Sequence, residues 1–157
     1  MMENNEIAPA KKRLQPMKKL LLFISAVIPM IALGQITEVR INEVDPDQPA
    51  TDTEEFIELY GPANQPLDGL VLVLFNGAGD VSYDAYDLDG FSTNAEGFFV
   101  LGSSTVPGVG LIMTFNAQGS IQNGSDAIGL YTGDAAAWPM GTMVSGTNLV
   151  DAMVYGT

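Results

Sequence analysis

Leu70-Val71-Leu72-Val73-Leu74-Phe75 is a continuous run of six large apolar residues, and Asn76-Gly77 follows it directly. An apolar run of this length is typical of a β-strand that is covered on both faces. The Asn-Gly pair is a strong turn signal, because both residues tolerate the left-handed backbone region. This stretch therefore predicts a central strand of a β-sheet that ends in a turn.

Similar short runs lie on both sides of this central strand. Counted along the chain, the predicted strands cover residues 36–44, 56–60, 70–75, 82–88, 97–102, 111–115, 126–131 and 149–155. After Gly34 no segment shows sustained helical periodicity, and only Asp134–Trp138 tolerates one or two helical turns before Pro139. Short strands separated by Gly-rich turns predict an all-β domain, an antiparallel sandwich of about eight strands. We expect Trp138 to be at least partly buried in it.

The segment before this domain has the layout of a secretory signal peptide. Met17-Lys18-Lys19 is a positive region, Leu20–Leu33 is an apolar run, and Ala32-Leu33-Gly34 places small residues before a cleavage site at Gln35. The run of about 14 residues is shorter than the ~20 that a membrane-spanning helix needs. We therefore predict a signal peptide helix within residues 1–34 and an exported domain over 35–157. A buried core helix and a retained membrane anchor are the alternatives.

Export would place the domain outside the cell or at the cell surface, with no membrane contact after signal cleavage. The polar residues 1–16 show no pattern, and one interpretation is that the protein starts at Met17. Residues 35–157 carry one basic residue, Arg40, against 17 carboxylates, a formal charge of −16. This charge opposes contact with nucleic-acid phosphates or anionic lipid. It favours solubility, a salty environment or divalent cations.

The chain contains no cysteine and no histidine. The absence of both removes thiol nucleophiles, cysteine zinc sites and every Ser-His-Asp arrangement. Ser103, Ser104 and Ser145 therefore lack a histidine base. We predict no enzymatic activity, no catalytic residue, no cofactor and no cofactor-binding residue.

Two groups of carboxylates are candidates for a calcium site. The loop Asp45–Glu55 is rich in oxygen ligands, but Pro49, Ala50 and Phe56 occupy positions where an EF-hand needs a ligand, a glycine and a glutamate. The second group is Asp80, Asp84, Asp87 and Asp89, with Asp87 and Asp89 expected on one strand face and Asp84 on the other. Solvated surface charge explains both groups without a metal, so we predict no metal-binding residue.

Several motifs follow one another in an order known from one protein family. They are Arg40-Ile41-Asn42-Glu43-Val44-Asp45, Asp52-Thr53-Glu54-Glu55-Phe56-Ile57-Glu58-Leu59-Tyr60, Leu67-Asp68-Gly69-Leu70, Phe98-Phe99-Val100-Leu101-Gly102, Ile121-Gln122-Asn123-Gly124-Ser125-Asp126-Ala127-Ile128-Gly129-Leu130-Tyr131 and Leu149-Val150-Asp151-Ala152-Met153-Val154-Tyr155. As an ordered set they resemble a lamin tail domain of the secreted bacterial type. The resemblance implies an immunoglobulin-like β-sandwich that acts as a binding or scaffolding module.

The favoured hypothesis is a secreted, non-enzymatic module that binds a protein or surface partner. A second is an accessory N-terminal domain of an extracellular nuclease or other hydrolase, whose catalytic part would lie beyond Thr157. A third is a calcium-dependent adhesion module. The acidity and the leader depart from nuclear lamins, so neither filament assembly nor DNA binding is transferred. We expect Asn42 to tie a neighbouring loop, Gly124 to lie at a turn and Gly129 at a bulge.

Overall fold

The computed structural model describes residues 38–49, 52–114 and 121–156, so the predicted signal peptide lies outside the described residues. Within them the chain forms eight strands and a 3-10 helix, and no α-helix. The strands are β1 Arg40–Asp45, β2 Phe56–Tyr60, β3 Leu70–Asn76, β4 Val81–Asp87, β5 Phe98–Gly102, β6 Val109–Ile112, β7 Asp126–Thr132 and β8 Leu149–Tyr155, and the helix is Ala135–Ala137. The all-β prediction is confirmed.

The strands form two four-stranded sheets. The first sheet has the order β1-β2-β5-β6, and the second has the order β4-β3-β7-β8. Neighbouring strands are antiparallel in both sheets, except that β5 and β6 run parallel. The loop between β5 and β6 contains Pro107 and Gly108, and Gly108 has a φ of 76° that suits glycine. The predicted antiparallel sandwich is confirmed, with this one parallel pair at its edge.

Strand β3 lies between β4 and β7 and is buried on both faces, as the apolar run predicts. Leu70, Leu72 and Leu74 point into the main core between the sheets. Val71, Val73 and Phe75 alternate with them and point to the outer face of the second sheet. Burial of each such side chain contributes roughly 1.5–3 kcal/mol, so β3 stabilises two apolar layers at once.

The main core is filled by residues of both sheets. Its fully or nearly fully buried members are Val39, Ile41, Ile57, Leu59, Leu67, Leu70, Leu72, Leu74, Leu88, Phe99, Leu101, Met113, Ile121, Ile128 and Leu130. At one edge of the sandwich β1 and β8 approach each other. There the backbone N–H of Ile41 donates to Oδ2 of Asp151 at 2.9 Å, which ties the first sheet to the second.

A second, smaller apolar cluster covers the outer face of the second sheet. Tyr131 and Phe75 form its floor, and Trp138 packs on both, with ring centroids 4.4 and 5.6 Å away respectively. Asp134 caps the short helix that carries Trp138 into place, since its Oδ1 accepts the N–H of Ala136 at 2.7 Å. Trp138 is half-buried, which confirms the prediction. A Cβ on Gly129 would lie 2.4 Å from the Tyr131 ring, so this glycine makes room for the aromatic cluster.

Candidate functional site

The last strand and the segment before it carry most of the exposed large apolar side chains. Among the described residues, six large apolar side chains are strongly exposed, and five of them lie between residues 140 and 154. These five, here called the outer apolar surface, are between 41% and 82% exposed: Met140, Met143, Val144, Leu149 and Val154. The sixth, Ile112, lies on β6 in the other sheet. Exposed apolar side chains that lie together mark an interaction site more often than scattered ones do, and two of the five, Val144 and Leu149, line the same groove.

Backbone hydrogen bonds fix the position of this surface. The segment after Trp138 runs along the free edge of β4, where the N–H of Ser82 donates to the carbonyl of Thr142 at 2.8 Å. The N–H of Gly141 donates to the carbonyl of Ser82 at 2.8 Å, and the N–H of Val144 donates to the carbonyl of Asp80 at 2.9 Å. Met140 and Met143 are therefore held on an ordered backbone and present their side chains to solvent.

A groove of about 190 Å³ opens next to the outer apolar surface. Its walls are almost entirely apolar and include Phe75, Ala127, Tyr131, Val144, Leu149 and Ala152. Sites for small molecules are typically about 300–1,000 Å³ and contain several directed polar groups. This groove is smaller and nearly without polar groups, so it suits one or two apolar side chains of a macromolecular partner.

The acidic loop between β1 and β2 is tied to its own chain. Oδ1 of Asp52 accepts the N–H of Gln48 at 3.0 Å, and the Asn123 amide donates to Oδ2 of Asp52 at 3.1 Å and to Asp47 at 3.4 Å. The bond from Gln48, followed by that from Asn123, lowers the pKa of the Asp52 carboxyl. The structure thus brings Asp47 and Asp52 together at Asn123, a residue of a distant loop.

The carboxylates around β4 accept hydrogen bonds from other groups of the chain. Oδ2 of Asp84 accepts a hydrogen bond from the Tyr86 hydroxyl at 2.6 Å. Oδ1 of Asp87 accepts one from the backbone N–H of Asp89 at 2.9 Å, and Oδ1 of Asp89 accepts one from the backbone N–H of Gly69 at 2.6 Å. Because β4 ends at Asp87, the expectation that Asp87 and Asp89 share a strand face is wrong. In residues 38–49, 52–114 and 121–156, no three Asp or Glu residues come together as a metal-binding group.

The remaining residues that the sequence singled out have structural contacts. The Asn42 amide donates to Oε1 of Glu58 at 2.8 Å across β1 and β2, so it joins two strands and not a loop. The Ser103 hydroxyl donates to the carbonyl of Thr53 and lies 2.6 Å from the Thr105 hydroxyl. Ser104 and Ser145 are exposed.

One end of the sandwich buries two carboxylates that the sequence analysis did not single out as a pair. Glu55 precedes β2 and is fully buried, and Asp126 begins β7 and is 5% exposed. Oδ1 of Asp126 accepts the N–H of Gly77 at 2.7 Å, whereas its buried Oδ2 has no hydrogen-bond partner. The register of β7 with β8 places Asp126 opposite Tyr155. The sequence predicts that Asp126 begins a strand, but no local pattern shows that its carboxylate is buried.

Two tyrosines complete this end. The hydroxyl of Tyr83 accepts the N–H of Gln122 at 3.1 Å, and the Tyr155 hydroxyl is buried without completing a hydrogen bond of good geometry. Burial raises the pKa of Tyr155, and the neighbouring Tyr83 and the charges of Asp126 and Glu55 raise it further. Burial also raises the pKa of Tyr83, with the same two carboxylates contributing. Each tyrosine therefore lies close enough to both carboxylates for their charge to affect it.

Comparisons with known proteins leave the family open. A scan against protein-family models finds no match, and a search of curated proteins finds no similar sequence. The described part of the chain contains no helix of the length and apolarity needed to span a membrane.

Proposed function

We propose that this protein is a secreted, non-enzymatic binding or scaffolding module of the lamin-tail type, and that it binds a protein partner through the outer apolar surface. The observation that carries the proposal is an apolar groove lined by Val144 and Leu149, two of the five exposed apolar side chains on β8 and the segment before it. Solvent exposure of such side chains contributes nothing to folding. Contact with a partner would bury these side chains, and the burial of their apolar surface would stabilise the complex.

The charge of the domain indicates the chemistry of the partner. All 17 carboxylates of residues 35–157 lie within the described residues, where Arg40 is the one basic side chain. A partner segment that combines apolar side chains with Lys or Arg would match both the groove and the surrounding negative potential. The opposite charges would steer the encounter, and the apolar contacts would supply most of the affinity.

The arrangement of polar groups supports a non-enzymatic role. Asp52, Asp84, Asp87 and Asp89 each accept a hydrogen bond from a backbone N–H of the chain, so each is engaged in a structural contact. The candidate serine nucleophile Ser103 bonds a backbone carbonyl. The sequence supplies no histidine or cysteine that would activate a hydroxyl or act in its place.

The proposal is tested by selecting peptides from a random phage-displayed library on the purified protein. Trp138 is the one tryptophan of the chain and packs against the groove residues Phe75 and Tyr131, so its emission reports binding at this face. We expect selected peptides to combine apolar residues with Lys or Arg and to shift Trp138 emission. The double variant Met143→Ser/Val154→Ser should lose binding at least tenfold.

The matched control is Ile112→Ser, which removes an equally exposed apolar side chain from the other sheet. It should bind the selected peptides as the parent protein does. Peptides that bind the double variant as tightly as the parent, or that lose binding to Ile112→Ser alone, would show that the outer apolar surface is not the binding site.

A further inference from the structure

The buried end of the sandwich holds negative charge that no described basic residue offsets. Asp126 lies at the start of β7, and its Oδ2 is shielded from solvent without a hydrogen-bond donor. Arg40 stacks on Tyr60, at the opposite end of β2 from Glu55, with 4.9 Å between its guanidinium carbon and the ring centre. A buried carboxylate is costly unless it is paired with a cation or fully hydrogen-bonded. A cation bound beside Asp126 would therefore offset the cost of burying its carboxylate.

The register of β7 with β8 brings the oxygen atoms of Asp126 and Tyr155 to the same end of the sandwich. Asp126 and Tyr155 are direct partners across β7 and β8, so their side chains project from the same face of the sheet. Tyr155 packs against the main core, which places that face on the inside of the sandwich. Glu55 directly precedes β2 of the opposite sheet, and its Oε2 accepts the N–H of Ile121 at 3.4 Å, next to Gln122, whose N–H bonds the Tyr83 hydroxyl at 3.1 Å. Besides burial, its charge also raises the pKa of Tyr155. Both carboxylates thus lie near the same two tyrosines.

We propose that Asp126, Glu55 and the hydroxyl of Tyr155 form a calcium site that links the two sheets at this end. Every candidate donor is an oxygen, and carboxylates with neutral oxygens are the ligands that Ca²⁺ takes in irregular arrangements of about six to eight. Mg²⁺ demands near-octahedral geometry and keeps its waters, and Zn²⁺ prefers nitrogen and sulfur donors that this end does not offer. This site is separate from the outer apolar surface and from the Asp80–Asp89 group.

Gly124 offers a way to alter the site without removing a ligand. A Cβ at this position would lie 2.9 Å from Oδ2 of Asp126 and would crowd the one carboxylate oxygen that lacks a partner. Gly124 is exposed, and its backbone does not require the positive φ that would make alanine strained. Gly124→Ala therefore retains both carboxylates and the hydrogen bond from the N–H of Gly77 to Asp126.

The experiment is thermal unfolding of the purified protein in CaCl₂, in MgCl₂ and in NaCl of matched ionic strength. At a calcium concentration about 100 times the dissociation constant, the melting temperature should rise on the order of 5–10 °C above the NaCl value. Asp126→Asn keeps a carbonyl oxygen for Gly77 and removes the charge, so it should melt at or above the parent without calcium and gain no more from CaCl₂ than from NaCl.

Asp134→Asn is the matched control, because Asp134 also accepts one backbone N–H at 2.7 Å but lies exposed on the outer side of the sandwich. It should keep the full calcium shift, whereas Tyr155→Phe and Gly124→Ala should each reduce it. An equal calcium shift in the parent and Asp126→Asn, or no calcium shift in the parent, would overturn the proposal. If Asp126→Asn fails to fold, a full calcium shift in Gly124→Ala would overturn it equally.

Discussion

The two faces of the second sheet are built from the same strands and are covered in different ways. On the inner face, Leu70, Leu72 and Leu74 of β3 meet the other sheet and are sealed from solvent. On the outer face, Val71, Val73 and Phe75 are covered only by the segment that carries Trp138, and apolar side chains next to them remain exposed. An apolar run therefore predicts burial, but it does not predict whether a sheet, a loop or a partner covers the side chains.

The inner face should be the part that the fold cannot lose. Leu72→Asp places a charge at the centre of β3, at a side chain with no solvent exposure and no described basic residue in the core. The cost of an unpaired buried charge is comparable with the roughly 5–15 kcal/mol that stabilises a typical domain. We expect no cooperative unfolding transition for this variant in far-ultraviolet circular dichroism. A cooperative melt close to that of the parent would contradict the two-layer arrangement.

The outer aromatic cluster should matter less. Trp138→Ala removes a half-buried ring from Phe75 and Tyr131 but leaves the main core intact. We expect a loss of about 1–3 kcal/mol in the free energy of unfolding, below the ~3–5 kcal/mol typical of a fully buried tryptophan. Urea unfolding followed by circular dichroism measures it. Complete loss of structure would show that the outer cluster is as necessary for folding as the main core.

The sequence predicts the framework of both faces but not what covers them. The runs around Leu72 and Val100 gave β3 and β5, and Trp138 was expected to be partly buried. Period-two alternation assigns side chains to opposite faces of a strand, but it carries no information about pairing order. The parallel pairing of β6 with β5 and the cover that residues 133–148 give the outer face depend on contacts between distant segments.

The burial of Asp126 also could not be predicted from the sequence. In the sequence Asp126 stands at the start of a predicted strand, just after the Asn123-Gly124 turn, and nothing there indicates that its carboxylate is buried. Its burial depends on the N–H of Gly77, which lies 49 residues away in the turn after β3. No local pattern contains that contact. The double absence of histidine and cysteine, in contrast, is fully visible in the sequence and limits the chemistry in advance.

Alkaline pH should weaken the inner side of the second sheet. Burial raises the pKa of Tyr155 and of Tyr86 above the ordinary value of 10.0, and both rings pack on the main core. Above about pH 10 the unfolded chain loses these phenolic protons while the folded chain keeps them, so stability falls as pH rises and is constant below. Melting temperatures from about pH 8 to about pH 12 should show this decline, and Tyr155→Phe should make it shallower. An identical decline in the variant would contradict the prediction.

The outer apolar surface should be nearly neutral for folding. Met143→Ser/Val154→Ser changes two side chains that are 61% and 78% exposed. Surface substitutions of this kind usually alter stability by less than about 0.5 kcal/mol each. We expect the melting temperature of the double variant to lie within a few degrees of the parent. A large loss of stability would mean that these side chains serve the fold and not a partner.

The central claim is that the outer face of the second sheet binds and the inner face folds. The most direct test is two-dimensional ¹H–¹⁵N NMR of the protein titrated with a peptide selected as described above. We expect the backbone amide signals of β7, β8 and residues 140–148 to shift, and those of β1, β2, β5 and β6 to stay in place. Shifts centred on the first sheet, or spread evenly over both sheets, would contradict it.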